Sequence, residues 1–366
     1  MHLFITCPPY LEQLLAAELE ELGIPARRWP RGVSAPLSMD NVYRINYCSR
    51  LATRVLWPLA HFECTSRETL YAEAKKIPWT EVLSLDKTFA IDANVTNNPA
   101  FRNTHFAGLV VKDAICDAFR EATGNRPSVE IYNPAIQIHL FIYENKATLS
   151  LDTSGAPLFK RGYRSGTIEA PLQETLAAAI LKLSGYTSND ILCDPLCGSG
   201  TFLWEAALLA TGTPAAYFRK QFGFFNHPQF SQEAWQAVKS EIDSRIVPLK
   251  PYSIFGGDRD RKAIDLCNAT LKTTSFPLHF QHAHLHNFKP ILQPTLVVTN
   301  PPYGSRLSST PDPYAALADF LQTTCHGKAR AAILSPHRRL HPSLGRPSQK
   351  PIPLLNGGLE VFLHLL

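Results

Sequence analysis

The sequence predicts an α/β protein in two parts, an α+β module followed by a parallel, doubly wound sheet. Three observations carry this. Four short apolar runs between Ile191 and Leu334 alternate with helical patterns. Strands of that kind are buried on both faces, as in a parallel sheet covered by helices. Before residue 160, helix patterns mix with strand patterns, of which Ile136 to Tyr143 and Ala147 to Asp152 alternate, as in an α+β module. The 366 residues also suit two domains, at about 150 residues each.

The elements follow in order. Leu3 to Thr6 predicts a strand. Leu11, Leu14, Leu15, Leu19 and Leu22 recur at helical spacing, and Gly23 stands where a C-cap belongs. Pro25 to Pro36 is rich in proline and arginine and predicts a connector. Asn41 to Trp57 mixes aromatic and aliphatic residues with three arginines. Thr88 to Val95 predicts a strand. Arg102 to Phe119 predicts a helix with Leu109, Val110, Ala114, Ile115 and Phe119 inward. Ile136 to Tyr143 and Ala147 to Asp152 alternate as two strands around the turn Glu144-Asn145-Lys146. Lys160 to Gly166 is basic and glycine-punctuated, which suits a linker. The expected domains are therefore 1–164 and 165–366.

Glu174 to Leu183 opens the second part as a helix. The four buried runs are Ile191 to Asp194, Tyr252 to Gly256, Leu296 to Thr299 and Ala331 to Leu334. Leu354 to Leu366, around Gly357-Gly358, predicts a hairpin on the sheet edge.

Composition excludes several classes. A chain with 45% hydrophobic and 18% charged residues is not disordered. A net charge of +5 suits a polyanionic partner. No apolar run approaches the ~18 residues of a membrane span. The opening residues lack a basic lead before their short apolar run, so no secretory signal is expected. The eight cysteines are scattered and predict reduced thiols in a cytoplasmic protein. Cys193 and Cys197 are close, but no second pair completes a zinc site.

Three motifs carry chemistry. Asp194-Pro195-Leu196-Cys197-Gly198-Ser199-Gly200-Thr201 follows a strand and opens a helix. Its glycines admit a ligand close to the backbone. Leu203 stands where a dinucleotide fingerprint needs its third glycine, and no Gly-Lys-Ser/Thr follows for a P-loop. Asp194 suits a cation, such as the ammonium or sulfonium of S-adenosylmethionine, better than a phosphate. The alternative is a structural glycine loop.

The second motif is Gly256-Gly257-Asp258-Arg259-Asp260. A carboxylate at a strand end can accept both hydroxyls of a ribose. Alternatively, Asp258 or Asp260 is a helix N-cap. The third is Asn300-Pro301-Pro302-Tyr303. Two prolines remove two donors. What remains offers acceptors, the Asn300 side-chain oxygen and the Pro301 carbonyl, to an exocyclic amine with two N–H groups. Tyr303 adds a face for a flipped base. The alternative is a rigid strand-end turn. His279, His282, His284 and His286 invite a metal reading, but no carboxylate or cysteine completes a set, and no metal is expected.

With these motifs placed, the chain resembles the N-terminal half of the fused bacterial large-subunit rRNA methyltransferase that makes N2-methylguanosine. It is similar to the wider group that joins a THUMP domain to a Rossmann-like methyltransferase. Arg102-Asn103 and Lys112 to Ile115 match the THUMP helix, Arg161 to Arg164 the exit from THUMP, and Pro171 to Ala179 the first methyltransferase helix. The resemblance implies a class I methyltransferase domain after a ferredoxin-like and THUMP region, with a THUMP core at about 41–153. It implies S-adenosylmethionine as cofactor, held by Asp194, Pro195, Cys197, Gly198, Gly200 and Thr201, with Asp258 at the ribose. It implies that Asn300, Pro301, Pro302 and Tyr303 hold the target guanine. Arg102, Lys112, Arg161 and Arg164 are the implied contacts to RNA, either large-subunit rRNA or its precursor. His284 aligns where the family has an aspartate against the adenine. The fused relative carries a second methyltransferase, so a second modification is expected to need another protein. Two alternatives stay open, a DNA adenine methyltransferase and an RNA-binding assembly protein with a decayed site.

Overall fold

The computed structural model describes residues 2–164, 166, 172–302, 312–345 and 349–366. Tyr303, Pro171, Ser165 and Arg346 lie outside them. The chain forms two compact units. The first is Met1–Cys7, Leu15–Leu158 and Lys220–Lys239; the second is Pro8–Leu14, Phe159–Arg219 and Ser240–Leu366.

The first unit is built on seven strands: β1 (His2–Thr6), β2 (Arg27–Trp29), β3 (Gly32–Pro36), β4 (Arg54–Glu63), β5 (Phe89–Thr96), β6 (Ile136–Tyr143) and β7 (Lys146–Asp152). Their order is β2-β3-β1-β4-β7-β6-β5. The segment predicted as a connector is therefore a hairpin. β3 pairs antiparallel with β1, Ile5 opposite Val33. At Gly32 a Cβ would lie 2.4 Å from the Ile5 carbonyl, so only glycine fits there. β4 joins the two halves of the sheet by pairing with both β1 and β7. Its ladder shifts register between Pro58 and Ala60, where proline has no N–H to give.

The long helix is Thr104–Thr123, capped by the Asn103 side chain and ended by Gly124 at φ +76°. Val110, Ala114, Ile115 and Phe119 are buried as expected. Leu109 is not; it is 40% exposed. Ala107 and Val111 take the inner stripe instead.

The second unit holds β8 (Leu192–Asp194), β9 (Ile254–Asp258), β10 (His279–His282), β11 (Leu296–Thr299), β12 (Arg330–Ser335), β13 (Ile352–Asn356) and β14 (Leu359–Leu365). The order is β10-β9-β8-β11-β12-β14-β13. The first five are parallel, and the last two form the expected antiparallel hairpin on the edge. β8 and β11 are buried along their whole length, as strands covered on both faces must be. Strand order reverses between β8 and β11, which places the switch point of a doubly wound sheet there.

Candidate active site

β9, β8 and β11 are neighbours, and each runs into one of the three motifs. Parallel strands end on the same side, so Asp258, Asp194 and Asn300 share the carboxyl edge of the sheet.

The loop after β8 is shaped by Gly198 at φ +52° and Gly200 at φ +76°. No side chain caps the helix that follows, Thr201–Ala210. The loop is bonded to the end of β9. Gly198 N–H donates to Asp258 Oδ2 at 2.7 Å, and Cys197 N–H donates to the Gly257 carbonyl at 2.9 Å. Asp258 Oδ1 accepts from the Asp260 amide at 2.9 Å. Asp260, and not Asp258, caps the next helix, accepting from Lys262 N–H. The two glycines before Asp258 are demanded by packing. A Cβ on Gly256 would fall 2.4 Å from Leu203, and one on Gly257 would fall 2.5 Å from Phe288.

Asp194 is 2% exposed. Burial pushes its carboxyl up to about 7, with a smaller push from the Asp258 charge, against the pull of the Leu196 amide. A bound cation would restore the ionised form, so the site suits positive charge. At the end of β11 the Asn300 Oδ1 atom is buried with no hydrogen-bond partner among the described residues. An orphaned buried acceptor of this kind suits a hydrogen-bond donor from a ligand. Pro301 is buried beside it in sequence, and Pro302 is half-buried.

His284 is exposed just past β10. The Ala283 N–H donates to the Asp258 carbonyl at 3.0 Å, which holds that segment beside the ribose candidate. Two of the other histidines have neighbours of their own. His279 stacks on Tyr252 at 4.8 Å, and a His282 ring nitrogen bonds the Arg259 carbonyl at 3.0 Å. Among the described residues no group of His, Cys, Asp or Glu is set for a metal.

The four arginine and lysine candidates separate. Arg102 is exposed, and Lys112, half-buried, lines a cavity of about 600 Å³ in the first unit. Arg161 is 1% exposed and bonds both oxygens of Glu205, at 3.2 and 3.3 Å. Arg164 is held by Glu174, Ser199 and Thr201. Arg161 and Arg164 thus serve the interior of the second unit, because buried acids claim them. Glu205, Glu174 and Ser199 are the residues that sequence reasoning missed. Glu205 left a signal, a lone charge in the otherwise apolar helix Thr201–Ala210.

Residues 161–355 match the model of the RMKL-like methyltransferase domain. The chain belongs to this family. In the same chain, residues 64–152 match the THUMP domain and residues 2–56 the RlmL ferredoxin-like domain. The Ribosomal RNA large subunit methyltransferase K/L of Syntrophotalea carbinolica is 38% identical over 98% of this chain and 52% of its own length. A Synechocystis protein provisionally named an RNA methyltransferase is 34% identical over 98% of this chain and 95% of its own. The chain spans about half the length of the K/L relatives it matches. Among solved structures, SMU.472 in complex with SAH has a TM-score of 0.88 at 24% identity, covering 100% of this chain and 97% of its own. TrmN from Thermus thermophilus has a TM-score of 0.69 at 22% identity, covering 100% and 98%. These structures show the shared mixed α/β fold, and the family models put the ferredoxin-like and THUMP regions before the methyltransferase domain.

Proposed function

We propose that this RMKL-like methyltransferase methylates the exocyclic N2 amine of a guanosine in large-subunit rRNA, using S-adenosylmethionine. The observation that carries the reading is the Asn300 Oδ1 atom just after β11, buried and without a hydrogen-bond partner among the described residues; Pro301, with its carbonyl, follows in sequence. When bound, the cofactor supplies an electrophilic methyl carbon. The chain's own residues do the rest. Asp194 matches the positive charge of the cofactor, and Asp258, tied to the Gly198 amide, keeps lone pairs for ribose hydroxyls. Asn300 and Pro301 accept the two N–H groups of the target amine. Those bonds favour the pyramidal nitrogen of the transition state over the planar one of the free base. Asn300 is neutral and serves as an acceptor, so the proton leaves to solvent after methylation, when the nitrogen is strongly acidic. The names of the K/L relatives support rRNA as substrate. The THUMP match supports an RNA partner, which Arg102 and Lys112 on the first unit would meet.

The test is methylation of ribosomal RNA and of duplex DNA by the purified protein, with the modified nucleosides identified by mass spectrometry. N2-methylguanosine in the RNA is expected. Methylation of adenine in DNA alone would replace this reading with that of a DNA enzyme.

A further inference from the structure

Arg164 precedes every motif that carries the reaction, yet its side chain ends inside the cofactor loop. The side chain is 15% exposed. Its Nε donates to Glu174 Oε1 on the helix Glu174–Leu183. One terminal nitrogen donates to Ser199 Oγ at 2.9 Å. The other donates to Thr201 Oγ1 at 2.8 Å and, more weakly, to the Leu172 carbonyl at 3.4 Å. Ser199 and Thr201 are 6% and 4% exposed.

A hydroxyl that accepts from a guanidinium must turn its own hydrogen elsewhere. Among the described residues neither hydroxyl gives that hydrogen to a protein acceptor. Arg164 therefore aims two O–H donors and polarises them with a full charge. They lie at the uncapped first turn of the helix Thr201–Ala210, where the backbone dipole also favours negative charge. At the other end of the same loop stands the buried acid Asp194. The loop thus offers a positive end and a negative end a few residues apart. An amino-acid zwitterion has that pattern, and a phosphate or a neutral ligand does not.

We infer that Arg164 positions the carboxylate of the cofactor's amino-acid part, acting through the hydroxyls of Ser199 and Thr201. Glu174 holds Nε and leaves both terminal nitrogens to the loop. The inference rests on the S-adenosylmethionine reading above.

The test compares two ligands on the full-length protein. S-adenosylhomocysteine carries the amino-acid part, and 5′-methylthioadenosine lacks it. Calorimetry is run on wild type, Arg164→Lys, Ser199→Ala, Thr201→Val and the variant that combines the last two, with thermal melting to check the fold. Each variant is expected to lose about tenfold or more in S-adenosylhomocysteine affinity. Binding of 5′-methylthioadenosine should stay within about twofold. Arg164→Lys should retain more affinity than Ser199→Ala combined with Thr201→Val, since it keeps the charge but loses the fork. An equal loss for both ligands would show a merely structural role and overturn the inference, as would unchanged S-adenosylhomocysteine binding. The two hydroxyl variants leave the Arg164–Glu174 pair intact, so they decide the matter should Arg164→Lys fail to fold. Wild-type protein that binds neither ligand would refute the cofactor reading instead.

Discussion

Asn300 and Asp194 are both buried polar residues at strand ends, but their burial does different things. Asn300 keeps a buried acceptor that has no hydrogen-bond partner among the described residues. Asn300→Ala should lower single-turnover methylation by about 100-fold or more while cofactor affinity stays within a few-fold. A variant that methylates at the wild-type rate removes Asn300 from the mechanism. For Asp194, burial raises the carboxyl to about 7. Between about pH 4 and 7 the folded protein then holds a proton that the unfolded chain has lost. Without ligand, stability should therefore fall as pH rises through that window, by an amount on the order of 4 kcal/mol. A cationic ligand must displace the proton, so cofactor affinity should rise with pH up to about 7 and then level. Calorimetry from about pH 6 to 8 reads this directly, and Asp194→Asn should flatten the profile. A flat wild-type profile would contradict the role given to Asp194.

Elements were legible where their cause is local. The helix Glu174–Leu183 and the strand Leu296–Thr299 lie where apolar patterning put them, since periodicity and flanking turns act over a few residues. The connector of residues 25–36 was not, because its strands exist only by pairing with β1. The fate of Arg161 also depended on a distant partner. Its acid, Glu205, is 44 residues away and 0% exposed. Tyr163 Oη also donates to Glu205, at 3.3 Å. Arg161→Met leaves that carboxylate buried and unpaired, and should lower stability by about 3–5 kcal/mol. Adding Glu205→Leu should recover most of the loss, because an apolar pair of similar volume needs no hydration. Urea unfolding distinguishes this from a surface contact to RNA, for which Arg161→Met would leave the midpoint unchanged.

At the scale of the molecule, the segment Lys220–Lys239 belongs with the first unit although it follows the first cofactor motif. Its rings explain why. Phe224 and Trp235 lie 5.1 and 5.8 Å from Tyr43, and Trp235 lies 5.3 Å from Tyr47. A fragment from Phe159 to Leu366 would expose these aromatics and should aggregate unless residues 220–239 are replaced by a short polar linker. With that replacement it should bind cofactor better than one starting at Ser165, which lacks Arg161, Tyr163 and Arg164. Both should methylate rRNA more slowly than the full chain at matched salt. Full-length RNA binding should weaken steeply with salt, and Arg102→Gln or Lys112→Gln should each reduce the slope by about 1. Equal methylation rates for fragment and full chain would show that the first unit does not deliver the substrate.

The sequence by itself determined the parallel strands β8, β9, β11 and β12 and the three motifs at the strand ends. These follow from short-range patterning and from glycine and proline, whose backbone limits hold in any surroundings. Tertiary structure alone decided which aspartate caps a helix and which stays with the cofactor loop, since Asp258 and Asp260 differ only in the amides that reach them. It alone turned Leu109 outward and drew Arg161 and Arg164 inward. It also returned residues 220–239 to the first unit. A charge or a ring has no fixed place in a sequence. Its position is set by the buried partner that compensates it, and that partner is brought near only when the chain has folded.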